Sequence, residues 1–179
     1  MSDLTDQLFG KVSSDIDPFK KILGYIPGFK GYIERQKRRD ADKLLRDTIA
    51  DRIEEKWSRV SALQRDFISR GDIMFIDDLE AAAIKLRTFA DRIRRAPRGY
   101  SSLFEAVKIN EEELNQIYQY DASMLELSDS IARAIDNIEA SVGTDGLAAA
   151  IRNLITITQQ CIDVYNRRDE VVVASTAEQ

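Results

Sequence analysis

Apolar positions recur along this chain at steps of three and four. From Phe29 the stripe runs through Ile33, Ala41, Leu44 and Leu45, Thr48 and Ile49, Ile53, Trp57, Val60, Leu63, and Phe67 with Ile68. At 3.6 residues per turn such a stripe is one face of an amphipathic helix. The spacing predicts one helix of about 40 residues, on the order of 60 Å long at 1.5 Å per residue, with its seam interrupted only from Arg35 to Asp40.

Stop and start signals divide the rest. Gly71 suits the left-handed residue just past a helix end, and Asp72 is placed to cap the next helix. The second face is Phe75 and Ile76, Leu79, Ala83, Leu86, Phe89 and Ala90, and Ile93. Pro97 and Gly99 end it. A short segment, Ser101 to Ile109, carries Leu103, Phe104 and Val107. Asn110 is then an expected N-cap, with Glu111, Glu112 and Glu113 at the positive end of a third helix. That helix runs to about Val142 through Leu114, Ile117, Met124, Leu125, Ile131, Ile135 and Ile138. Gly143-Thr144-Asp145-Gly146 is the next turn. The fourth helix runs from Leu147 to about Arg168 through Ile151, Leu154, Thr158, Cys161 and Tyr165. Val171 to Gln179 has no period and is expected to fray.

Near the N-terminus, Leu4, Leu8 and Phe9, Val12, Ile16, Phe19, Ile22 and Leu23, and Ile26 keep helical spacing. Asp17 and Pro18 form an N-cap and first-position pair, so a short helix is expected over 18–25, followed by a turn at Pro27 and Gly28. The fold class this predicts is all-α. It is an antiparallel four-helix bundle with a long first hairpin and coiled-coil-like seams. The expected organisation is an amphipathic extension at 1–27, a bundle domain at 28–170 and a flexible tail at 171–179. Docking of the extension on the bundle ranks ahead of docking on a second copy, and a membrane comes third.

Composition narrows the function classes. The 179 residues include 8 Gly, 3 Pro, one Cys and no His. One cysteine leaves no disulfide framework and no cysteine zinc site. Without histidine there is no Ser-His-Asp triad, no Cys-His dyad and no Glu-x-x-His di-metal bundle site. Glu126 and Asp129 have the spacing of an acidic magnesium pair but lie off the apolar stripe. No glycine-rich phosphate loop is present. Arg70-Gly71-Asp72 reads as a helix stop followed by a cap rather than an adhesion tripeptide, and Cys161 as a small core residue. The expectation is therefore a non-enzyme with no catalytic residues, no metal and no cofactor.

Charge is uneven. The chain carries −5 overall, made of +4 over residues 1–100 and −9 over 101–179. Arg35, Lys37, Arg38 and Arg39 open the long helix, and Arg92, Arg94, Arg95 and Arg98 close the second. A hairpin folded about Gly71 sets residue 45 opposite about residue 98, so both clusters share one end. That end could bind phosphate groups or an acidic partner. It could equally be neutralised by Glu111 to Glu113 with Asp40 and Asp42. No aromatic platform is interleaved with these arginines, which disfavours nucleic acid.

Asp121 stands out because it interrupts the apolar stripe of the third helix. A buried carboxylate costs several kcal/mol unless paired, so it demands a partner. Tyr118, Tyr120, Ser128 and the basic run at 37–39 are the candidates. An ion pair that sets helix register is one reading, and a pocket carboxylate is the other.

The runs Arg38-Arg-Asp-Ala-Asp-Lys-Leu-Leu-Arg46, Gly99-Tyr-Ser-Ser-Leu-Phe-Glu-Ala-Val-Lys108 and Glu112-Glu-Leu-Asn-Gln-Ile-Tyr-Gln-Tyr-Asp121 resemble a group of small bacterial helical-bundle proteins without an assigned activity. The similarity spans roughly residues 27–168. It implies a bacterial, soluble, all-α protein, and it carries no site residues with it.

These readings together predict a cytoplasmic adaptor or assembly subunit that works through protein contacts, including contacts with its own copies. The alternative is a peripheral membrane or polyanion-binding protein acting through the arginine-rich end.

Overall fold

The computed structural model describes residues 17–34, 38–96 and 111–177, with the side chains of 32–34, 38–40, 111 and 174–177 left aside. Every regular element among these residues is helical. They are α1 Pro18–Tyr25, α2 Phe29–Glu34, α3 Arg38–Arg70, α4 Ile76–Arg95, α5 Glu111–Ser141 and α6 Leu147–Ala177. A 3-10 turn, Ile73–Phe75, precedes α4.

Local chemistry sets most of the boundaries. The Asp17 carboxylate accepts the Phe19 backbone N–H at 3.0 Å, and Pro18 takes the first helical position, where an amide donor would have no partner in the helix. The helix expected as one piece from Phe29 is described as α2 and α3, and residues 35–37 between them lie outside the described set, as do Asn110 and the segment before it. Gly71, at φ +81°, ends α3. Its N–H donates to the Ile68 carbonyl at 3.1 Å, and the Asp72 N–H donates to the Phe67 carbonyl at 3.0 Å.

Two expectations are corrected here. The Asp72 side chain does not cap α4; the chain takes the 3-10 turn first, and Asp77 and Asp78 then occupy the first turn of α4, at its positive end. Nor does α6 stop near Arg168. It continues to Ala177, and Val172 is only 1% exposed. Val172 lies four residues beyond Arg168 on the same stripe, so burial carries the helix through three successive valines despite their low helix propensity.

Cross-helix pairs fix the directions. Arg94 reaches Asp51 and Glu54, and Gln64 reaches Glu80, so α3 and α4 run antiparallel about Gly71. The fold about Gly71 is the one expected, and residue 98 itself lies outside the described residues. Arg168 meets Asp121, so α5 and α6 are antiparallel about Thr144. Between the hairpins the sense differs. Arg52 meets Asp129 and Arg59 meets Asp136, so α3 and α5 run the same way. Lys85 with Gln159, and Arg92 with Asn166, give the same relation for α4 and α6. Each hairpin is antiparallel within itself, and these contacts between hairpins join parallel helices.

One apolar core fills the space between the hairpins. Ile49, Ile53, Val60, Leu86, Ile93, Leu125, Ile135 and Leu154 are all inaccessible to solvent, and Trp57 packs half-buried at the margin. Ile22 and Ile26 belong to the same core as Phe29 and Tyr118, without a break at residues 27 and 28. Phe19, Phe29 and Tyr118 form a ring cluster, with Phe29 and Tyr118 edge to face at 6.1 Å between centroids. The first short helices are thereby held on α5.

Candidate functional site

Asp121 lies in the core, 1% exposed, and its partner is Arg168, 2% exposed, from the other arm of the second hairpin. The Arg168 Nε donates to Asp121 Oδ1 at 2.7 Å, and its Nη2 donates to Oδ2 at 3.3 Å. The same Nη2 donates to Asp42 Oδ1 at 2.7 Å, from α3. Arg46, one turn along, closes the set by donating its Nε to Asp42 Oδ2 at 2.9 Å. Two carboxylates and two guanidinium groups cancel, joining three helices at one level.

The electrostatics follow from burial. Burial pushes the Asp121 carboxyl above the ordinary carboxylate range, and the adjacent Arg168 charge and hydrogen bond oppose that shift. Burial alone would loosen the Arg168 proton, but the Asp121 and Asp42 carboxylates outweigh it and raise the group above its ordinary value. Arg168 therefore stays charged. Among the described residues no buried side-chain polar atom lacks a hydrogen-bond partner.

Arg168 was not among the partners expected for Asp121. The Ser128 hydroxyl donates to the Leu125 carbonyl at 2.7 Å and accepts from Arg52 Nε at 2.9 Å. The side chains of 37–39 lie outside the described set. Arg168 was missed although a signal existed. It continues the stripe Leu154, Thr158, Cys161, Tyr165 at the same steps, and a hairpin folded about the 143–146 turn places residue 121 opposite 168. Asp42, an expected neutraliser of the basic end, turns inward to Arg168 and Arg46.

A second polar network pins α1. The Tyr25 hydroxyl donates to Asp129 Oδ2 at 2.7 Å, and Lys21 pairs with Glu126 at 2.8 Å. Arg52 stacks over the Tyr25 ring, 5.0 Å from its centroid, while its Nη2 pairs with Asp129. Glu126 and Asp129 are thus occupied by protein cations. Burial, followed by the Asp129 hydrogen bond, pushes the Tyr25 phenol up to about 12.

The basic end is partly covered where it is described. Arg94 donates Nη1 to Glu54 at 2.9 Å and pairs through Nη2 with Asp51, both on the neighbouring arm. Arg92 donates to Asn166 at 3.0 Å and stacks on Tyr165, and Arg95 lies 4.0 Å from Asp91. Arg38 and Arg39 open α3. Arg35, Lys37 and Arg98 lie outside the described residues.

Cys161 is buried, and burial pushes its thiol up to about 12, which keeps it protonated and unreactive at neutral pH. Among the described residues no three His, Cys, Asp or Glu side chains gather as a metal-holding group, and no helix is long and apolar enough to cross a membrane. An open hollow of about 320 Å³ lies between α3 and α5, lined by Arg59, Ala62, Leu63, Asp66 and Glu139. Arg59 there is tied to Asp136 and Glu139, at 2.7 and 3.1 Å.

The feature that burial does not explain lies at the Gly71 end. Ile68, Ile73 and Met74 are 57%, 73% and 82% exposed. Compared with protein-family models, curated proteins and solved structures, the chain matches none of them.

Proposed function

We propose that this chain is an interaction protein, an adaptor or assembly subunit built as a four-helix bundle of two hairpins, acting through protein contacts rather than catalysis. The observation that carries the reading is the apolar apex formed by Ile73 and Met74. Isoleucine and methionine gain roughly 1.5–3 kcal/mol each when fully buried, and here they stand at the turn of a hairpin whose seam is otherwise packed. Clustered exposed apolar residues mark contact surfaces more often than isolated ones do. The ion pairs that occupy Glu126, Asp129 and Arg94 support the same reading, because they leave the polar residues engaged in holding helices together.

A benzophenone amino acid placed at position 74 tests this in the native cell. One discrete, light-dependent higher-mass adduct is expected, and its absence beside a working control position overturns the contact role of the apex. Self-association is tested separately, by sedimentation of the full chain and of a chain lacking residues 1–16. Deleting as far as residue 27 would remove Ile22 and Ile26 from the core and confuse the comparison. Identical monomer masses for both would remove self-association from the proposal.

A further inference from the structure

We infer that the Gly71 end is a docking surface for a basic amphipathic polypeptide segment, one whose apolar residues are flanked by lysine or arginine. This rests on the interaction role proposed above and adds the chemistry of the partner.

The argument starts from the charge around the apex. Residues 65–80 hold Arg65 and Arg70 against Asp66, Asp72, Asp77, Asp78 and Glu80, a net of −3. Arg70 is already used by Asp66, at 2.9 Å. Asp72, Asp77 and Asp78 are exposed and have no ion-pair partner among the described residues. Asp77 and Asp78 also favour the start of α4, but one carboxylate would serve that purpose, and their charge still faces solvent. The result is an apolar knob of exposed Ile73 and Met74, with exposed Ile68 three residues before Gly71, set among uncompensated carboxylates.

That pattern selects among occupants. A second copy docked tip to tip would set these carboxylates against their equivalents. An anionic membrane surface carries the same sign of charge and would repel the frame. Residues 1–16 of this chain hold Lys11 against Asp3, Asp6 and Asp15, so that segment bears the same sign of charge as the frame. A segment with apolar residues for the knob and cations for the frame meets both features, and it would associate faster at low salt.

The test uses the full chain and a fluorescent 18-residue leucine/lysine amphipathic peptide, with a leucine/glutamate peptide of the same pattern as control. Anisotropy titrations at low and physiological salt should show the lysine peptide bound and the glutamate peptide not bound. Ile73→Ser/Met74→Ser should weaken binding at least tenfold. So should Asp72→Asn/Asp77→Asn/Asp78→Asn, while Glu112→Gln/Glu170→Gln, distant and exposed, should leave it unchanged. Equal binding by the serine variant, equal loss in the distant variant, or equal affinity for the glutamate peptide overturns the inference. So does a concentration-dependent dimer abolished by the serine pair, which would make the occupant a second copy. Sedimentation with phosphatidylglycerol vesicles that is abolished by the same pair would make the occupant a membrane. If the benzophenone adduct at position 74 forms but the peptide results fail, the contact role stands and only the partner chemistry is wrong.

Discussion

Arg168 and Asp121 lie 47 residues apart in the chain yet share a two-point hydrogen bond in the buried interior, and the same guanidinium reaches Asp42 on a third helix. Removing one member of such a set strands the others in a dry environment. Arg168→Met should cost about 3–5 kcal/mol, because Asp121 then loses its counter-charge and Asp42 keeps only Arg46. Replacing the innermost pair together, as Asp121→Leu/Arg168→Met, leaves Asp42 with Arg46 and should recover most of that loss. Urea unfolding followed by circular dichroism measures both. A single variant that loses under about 1 kcal/mol would show that the pair does not bear on stability.

Tyr25 makes a prediction at alkaline pH. Its phenol keeps a proton up to about 12 in the folded chain, against an ordinary value of 10.0. Between those values the folded form binds more protons than the unfolded form, so stability falls as pH rises. This contribution is fully present below pH 10 and gone above pH 12. Tyr25→Phe should lose less stability than the wild-type chain across that window, and denaturant midpoints at pH 9.5, 10.5 and 11.5 will show it. Parallel curves for the two chains would separate Tyr25 from the effect.

The Cys161 thiol should be protected by the fold itself. Buried, and with its thiol pushed up to about 12, it should resist iodoacetamide at pH 8.5 in buffer. Labelling should appear with the unfolding transition as urea is raised. Mass spectrometry counts the adduct at each urea concentration, and stoichiometric labelling of the native chain would place the thiol at the surface.

Two glycines should respond with opposite sign. Gly71 adopts φ +81°, where a Cβ is strained even in open space, so Gly71→Ala should destabilise by about 1–2 kcal/mol. Gly24 lies within α1, exposed, and a Cβ there meets nothing within 4 Å. Gly24→Ala should therefore stabilise by roughly 0.5–1 kcal/mol, through helix propensity and the lost freedom of the unfolded chain. Thermal melts of the two variants against wild type test the pair of signs.

Much of the architecture was readable along the chain because its causes are local. The three-and-four spacing of Ile49, Ile53, Leu86, Leu125 and Leu154 announced helices and their buried faces, and Asp17-Pro18 and Gly71 marked a start and a stop through backbone chemistry that needs no neighbours. Asp121 announced that it required a partner, because a carboxylate on an apolar face must find one. What the chain alone left open depends on how its helices stack. The choice of Arg168 and Asp42, the capture of α1 by Asp129 and Arg52, the helical course of Val171 to Val173 and the same-direction contact of the two hairpins each join residues distant in sequence. Helical periodicity records which face of a segment avoids water but not which other segment will cover it. That second choice is made by volume, charge and register between surfaces, and those come together only when the hairpins pack.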